Sequence, residues 1–252
     1  MHKNIVIIPT YNEAENINDI INAVMQLDTA FEVLIVDDGS PDGTAEMVKT
    51  LQQIYPGRIH LIVRSGKLGL GTAYIRGFKY AIENGYDFIF EMDADFSHNP
   101  KDLERLLFAC QVEGYDMAIG SRYSNGVNVV NWPMGRVLMS YCAGIYVRFI
   151  TGMPINDPTA GFKCYRRVVL ETIQLDKIRF IGYAFQIELK FLTWKYGFKI
   201  KEVPIIFTDR QKGVSKMSVK IFKEAFLGVI IMKIDSYFKR YIPSKSISSI
   251  QV

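Results

Sequence analysis

Short apolar runs alternate with amphipathic stretches through the first half of the chain. NIVII at 4–8 and VLIV at 33–36 are rich in β-branched residues and bounded by turn formers, the pattern of strands buried on both faces. Helical spacing follows each run. Glu13 to Met25 carries Ile17, Ile20, Ile21 and Val24, and Thr44 to Ile54 carries Ala45, Val48, Leu51 and Ile54. His60–Val63, Thr72–Asn84 and Asp87–Met92 then repeat the strand, helix, strand order. This alternation predicts an α/β fold with a mainly parallel central sheet flanked by helices, Rossmann-like in its N-terminal half. Further along, strands are expected at Tyr115–Gly120, Phe162–Tyr165 and Ile200–Phe207, and helices at Met134–Thr151 and Ala184–Tyr196. No linker, repeat or low-complexity tract divides the chain. Residues 1–240 read as one domain that includes an amphipathic helix at about 216–240, and 241–252 read as a flexible tail.

Ligands of such sheets bind beyond the carboxyl ends of the strands. Here those ends are Pro9-Thr10-Tyr11-Asn12-Glu13, Asp37-Asp38-Gly39-Ser40 and Asp93-Ala94-Asp95. Three strand ends therefore offer polar or acidic groups to one crevice.

Composition narrows the class. With 252 residues, 49% of them hydrophobic, the chain can bury a large core. Cys110, Cys142 and Cys164 are odd in number and widely spaced, which suits reduced thiols better than disulfides or a zinc site. The N-terminal apolar run is too short for a signal peptide, and the longest apolar stretch, AFLGVIIM at 225–232, is too short to span a bilayer. A cytoplasmic location is expected. The net charge of +4 is unevenly placed: from Arg210 to Lys245 nine Lys or Arg face Glu224 and Asp235, an excess of seven. A solvated face, a nucleic-acid patch and contact with an anionic membrane would each fit that excess.

Asp93 and Asp95 at i and i+2 would share one side of an extended chain, where both can meet one cation. Oxygen ligands without His or Cys favour Mg²⁺ or Mn²⁺. By itself an Asp-x-Asp also fits a capped strand end. Gly66-Lys67-Leu68-Gly69-Leu70-Gly71-Thr72 lacks both the Walker and the Rossmann phosphate patterns and reads as a tight turn into a helix. His98 is expected to pack or hydrogen-bond at the turn into the next helix rather than bind metal.

Taken together, IIPTYNE, VDDGSPDGT, EMDADFSHNP, GSRY and DPTAGFK, in that order, resemble the GT-A fold glycosyltransferases, specifically the dolichyl-phosphate or polyprenyl-phosphate mannose synthases in the form without transmembrane helices. The resemblance covers roughly residues 4–220. It implies inverting transfer of mannose from GDP-mannose to a polyprenyl or dolichyl monophosphate, with Mg²⁺ or Mn²⁺. It assigns Pro9, Tyr11, Glu13, Val36 and Asp38 to the nucleotide, with Lys67 near it, and Asp93, Ala94 and Asp95 to ribose, diphosphate and metal. Some members place Gln two residues after the second Asp; here Ser97 stands there and is the corresponding metal-ligand candidate. Arg122, Arg136 and Ser140 match the acceptor-phosphate positions, and Arg210 and Lys216 match a mobile loop over the donor diphosphate. Asp157, in INDPTAGFK, makes a turn on its own sequence, whereas the resemblance implies that it faces the sugar hydroxyls or orients the catalytic centre. Gln186 and Glu188 either assist or lie on a solvated helix face.

A phosphate monoester is largely dianionic at neutral pH, so the acceptor needs no strong base; the site must supply positive charge. The basic, apolar stretch from Lys216 to Tyr241 fits either a core helix or a helix lying on a bilayer, with a small membrane subunit as a further partner. A UDP-glucose donor and a non-catalytic nucleotide- or lipid-phosphate-binding protein are the alternatives. Nucleic acid is not an expected partner, because the basic segment lacks an aromatic stacking platform.

Overall fold

The computed structural model of the chain describes residues 2–210 and 219–242. A seven-stranded sheet forms its centre, in the order β3-β2-β1-β4-β7-β5-β8. Strands β1 (Asn4–Thr10), β2 (Glu32–Asp37), β3 (Ile59–Val63) and β4 (Phe88–Glu91) run parallel, as the alternation predicts. β7 (Lys163–Arg166) is inserted antiparallel between β4 and β5 (Met117–Ser121), and β8 (Ile200–Pro204) pairs parallel with β5. The strand expected over Ile200–Phe207 is broken: β8 ends at Pro204, and Phe207–Thr208 forms β9, which leaves the sheet to pair with β6 (Val129–Val130).

β1, β2 and β4 are buried on both faces, which is why they read as continuous apolar runs, whereas β3 at the sheet edge is only partly buried. Ile5 and Ile7 point into one core, with α3 (Leu70–Glu83) and α7 (Tyr183–Lys195), while Val6 and Ile8 point into the other, with α1 (Ile17–Met25), α2 (Thr44–Ile54) and α4 (Asp102–Gln111). α3 lies so close to β1 that a Cβ on Gly77 would come within 2.6 Å of Ile7 Cγ2, so that position requires glycine. The short α6 (Arg167–Thr172) follows β7.

α5 (Met134–Thr151) and α8 (Val219–Phe238) pack on each other, with the Tyr146 and Phe226 rings stacked at 4.6 Å. Along α8, Val229, Met232 and Ser236 are buried, whereas Phe226, Leu227, Ile231, Ile234, Tyr237 and Phe238 are exposed. Among the described side chains of the helix, one stripe joins the core, as the core-helix reading expects, and apolar side chains stand exposed on the other side. Among the described residues no helix is long and apolar enough to cross a membrane. Residues 243–252, most of the expected tail, lie outside the described residues.

Candidate active site

Beyond the carboxyl ends of β1, β2 and β4 opens a cavity of about 570 Å³, the size of a cofactor or nucleotide site. Most of the expected site residues line it: Pro9, Tyr11 and Glu13 after β1; Asp38 after β2; Lys67; Asp93, Ala94, Asp95 and Ser97 after β4. Arg122, Arg136 and Ser140 line its other side, and Arg210 lines it next to Asp95. Lys216 lies outside the described residues. Val36 is not brought there; fully buried, it packs in the core between strand and helix.

The two aspartates reach the cavity by a different route from the one their spacing suggests. β4 ends at Glu91, so Asp93 and Asp95 stand on a turn and not on an extended strand. Phe96 has φ of +59° there, and Ser97 N–H closes the turn onto Asp95 Oδ1 at 3.1 Å. Asn12 (φ +56°) and Asn131 (φ +63°) are the other non-glycine residues with positive φ among the described residues. All three stand in loops that build the site, where strained backbone tends to concentrate.

The donor set fits a hard divalent cation. Burial, then the negative charges of Asp95 and Glu91, push the Asp93 carboxyl up to about 7, with Arg210 partly offsetting them. A cation from the chain already stands against the other carboxylate: Arg210 Nη2 lies 2.7 Å from Asp95 Oδ2. Among the described residues no three His, Cys, Asp or Glu side chains converge into a metal cage. An ion held by Asp93, Asp95 and Ser97 would thus keep positions for phosphate oxygens and water.

On the opposite wall Arg122 is buried, and its Nε and Nη2 fork onto Asp157 at 2.7 and 2.6 Å. Its backbone N–H also donates to Asp157 Oδ2, at 2.9 Å, and Nη2 reaches Thr159 Oγ1 at 2.8 Å. Asp157 is fully buried and does not line the cavity: its carboxylate is turned to Arg122 and not to the space for sugar hydroxyls, a geometry that suits the orienting alternative. Burial alone would raise its pKa, but Arg122 outweighs burial and holds the carboxyl below its ordinary range. Glu202 on β8 fixes the turn, accepting from Asn156 N–H, Asp157 N–H and Ser121 Oγ–H at 2.7 to 2.9 Å.

Several residues here escaped the sequence reading. Trp132 lies between the two arginines, with Arg136 Cζ 4.1 Å and Arg122 Cζ 5.5 Å from its ring. Arg64 grips Asp38 Oδ1 and also donates to Thr72 Oγ1 at 2.7 Å, tying the glycine-rich turn to β2. In that turn Gly71 N–H donates to Ile181 O at 2.9 Å, so its amide is spent on the fold and not on a phosphate, in line with the turn reading. Gln186 and Glu188 are buried, which corrects the solvated-face alternative: Gln186 Nε2 donates to Glu91 at 2.8 Å, and Glu188 accepts the backbone N–H groups of Arg179 and Phe180 at 3.1 Å.

His98 packs as expected, stacked on Phe162 at 4.8 Å, and its Nδ1 accepts Asp93 N–H at 3.3 Å. Burial depresses its pKa from 6.5 to about 4, so it stays neutral. Between those pH values the unfolded chain binds a proton at this residue that the folded chain does not, so its contribution to stability falls as pH drops through the window. The stability advantage of wild type over His98→Gln should shrink by up to about 3 kcal/mol between pH 6.5 and 4 in urea unfolding. Taking the difference removes the opposing contribution of Asp93, whose raised pKa has the reverse sign.

The chain matches a family model for glycosyl transferase family 2 over residues 5–174. The chain belongs to that family. It is 47% identical to the polyprenol monophosphomannose synthase of Mycolicibacterium smegmatis over 90% of this chain and 85% of that one. It is 44% identical to the undecaprenyl-phosphate mannosyltransferase of Micrococcus luteus over 89% and 91% of the two chains. The fold is GT-A: the glucosyl-3-phosphoglycerate synthase of Mycobacterium tuberculosis with Mn²⁺, UDP and glucosyl-3-phosphoglycerate superposes with TM-score 0.65 at 19% identity, over 97% of this chain and 82% of that one. A mannosyltransferase of Pyrobaculum calidifontis with GDP-Man and Mn²⁺ superposes with TM-score 0.55 at 15% identity, over 94% and 71%.

Proposed function

We propose that this transferase moves mannose from GDP-mannose to a polyprenyl monophosphate, with inversion at the sugar carbon, at the cytoplasmic face of a membrane. The observation that carries the reading is the single cavity with Asp93 and Asp95 on one wall and Arg122 and Arg136 on the other. One wall suits a metal-bound diphosphate leaving group and the other an attacking phosphate.

Tyr11, with Lys67 Nζ 5.2 Å from its ring, and Asp38, held by Arg64, bound the nucleotide end. When bound, Mg²⁺ or Mn²⁺ stabilises the negative charge that builds on the departing diphosphate. Arg122 and Arg136 hold the acceptor phosphate in line with the sugar carbon, and their charge offsets the repulsion between two phosphate groups. The acceptor oxygen is already anionic, so no residue needs to remove a proton from it.

The exposed apolar faces of α5 and α8 support contact with a bilayer holding the prenyl chain. Phe149 and Phe238, each 85% exposed, are costly to leave in water and suit the acyl boundary. Arg148, Lys233 and Lys239 on or beside the same helices suit anionic headgroups.

The test incubates purified protein with labelled GDP-mannose or UDP-glucose and a short polyprenyl phosphate, with and without Mg²⁺ or Mn²⁺. Label should enter the lipid phase from GDP-mannose in a metal-dependent way, and Asp95→Ala should remove that dependence while folding normally. Transfer from UDP-glucose alone would replace the donor, and transfer from neither would end the proposal.

A further inference from the structure

The segment 207–210, which lines the cavity, carries two adjacent, oppositely charged residues that reach opposite walls. Asp209 Oδ1 accepts from Arg136 Nη1 at 2.9 Å, and Arg210 Nη2 lies 2.7 Å from Asp95 Oδ2. The backbone leading to them is bound on both sides as well. Thr208 N–H donates to Ser97 O at 3.3 Å, in the aspartate turn, while Phe207 and Asp209 N–H donate to Asn128 O and Val130 O at 3.0 and 3.1 Å, beside β6. The Phe207 ring meets Trp132 edge-on at 5.2 Å and His98 at 5.4 Å. One short strand thus touches the carboxylate wall and the arginine wall together.

We propose that Asp209 is a positioning residue which, through Arg136 and together with Arg210, makes the metal-diphosphate wall and the acceptor-phosphate wall bind cooperatively. The inference rests on the functional reading above. Without ligands, each wall is neutralised by a residue of the strap: Arg210 balances Asp95 and Asp209 balances Arg136. A divalent cation competes with Arg210 for Asp95, and an acceptor phosphate competes with Asp209 for Arg136. Because the two strap residues are consecutive, releasing one displaces the other, so each ligand lowers the cost of binding its counterpart. Direct charge interaction works the other way: a nucleoside diphosphate keeps net negative charge with one Mg²⁺ bound, and it repels a second phosphate. Positive coupling between the two therefore reports the strap.

The experiment titrates geranyl phosphate into the full chain by calorimetry, with and without saturating Mg²⁺ and GDP. In wild type, Mg²⁺ with GDP should tighten geranyl phosphate binding about fivefold or more. Asp209→Asn should bind geranyl phosphate more tightly by itself, because Arg136 is uncovered, and should show less than a twofold response to Mg²⁺ and GDP. Asp209→Glu, which keeps the charge, should recover at least half of the wild-type response; a residue with a merely structural role would not show that order. No tightening in wild type, or equal tightening in Asp209→Asn, overturns the coupling. Labelled mannose transfer on the same wild-type preparation separates the two ideas: transfer without coupling removes the strap alone, whereas absent transfer removes the functional reading.

Discussion

Asp157→Ala should lower mannosyl transfer by about a thousandfold and destabilise the fold by about 3–5 kcal/mol. Three donors of Arg122 converge on this carboxylate, two from the guanidinium and one from the backbone; Asp157 has no contact with solvent, and Arg122 has little to replace the lost partner. Removing the anion leaves a buried guanidinium without its counterion, and the freed side chain no longer aims at a fixed point in the cavity. Asp157→Asn keeps the shape and some of the hydrogen bonding but not the charge, so it should fall between wild type and Ala on both measures. The carboxyl titrates below its ordinary 3.8, so this contribution is fully present above that pH and is lost as pH falls through the lower folded value. Urea unfolding at neutral pH together with the transfer assay checks both effects. An Ala variant within tenfold of wild-type activity would show that Arg122 does not depend on this anchor.

Lys163→Met should cost about 3–5 kcal/mol in the same unfolding measurement, and Glu91→Leu a similar amount. Both side chains are fully buried with their charges 2.9 Å apart. Glu91 also accepts from Tyr165 Oη–H and Gln186 Nε2–H, each at 2.8 Å, and Lys163 donates to Gln186 Oε1. Breaking the pair from one side strands an ion in a region that cannot solvate it. Removing both charges at once spares that penalty, so the Lys163→Met/Glu91→Leu double variant should be more stable than either single one. A double variant as unstable as the sum of the two would mean the charges act independently. The site has a stake in this pair, because Glu91 is among the charges that raise the Asp93 pKa.

The buried pair also marks a limit of pattern reading. FIFE and GFKCY each place one charged residue against an apolar run, an anomaly that signals a buried partner, yet nothing local says that the partner lies 72 positions away, from 91 to 163, across β4 and β7. The same holds for Asp157. Its turn-forming context was plain, but its ligation of Arg122 depends on two loops meeting beyond β5. For Gln186 and Glu188 a solvated face stood level with a role in the site, because helical periodicity gives position around the axis and not what covers it. Conversely, Pro204 in the last expected strand was a signal available to find the break before β9, since proline lacks the N–H a central strand needs.

What the chain determined by itself was the alternation of buried strands and helices, and with it the location of chemistry at the strand ends, because period and burial are local properties of apolar side chains. The paired aspartates and the basic residues were legible as types. Which charges meet was decided only by the tertiary structure: Arg122 with Asp157, Arg136 with Asp209, Arg210 with Asp95 and Lys163 with Glu91. Charge pairing over long sequence separations leaves no periodic trace, since its geometry is set by how the sheet orders its strands and where the loops cross.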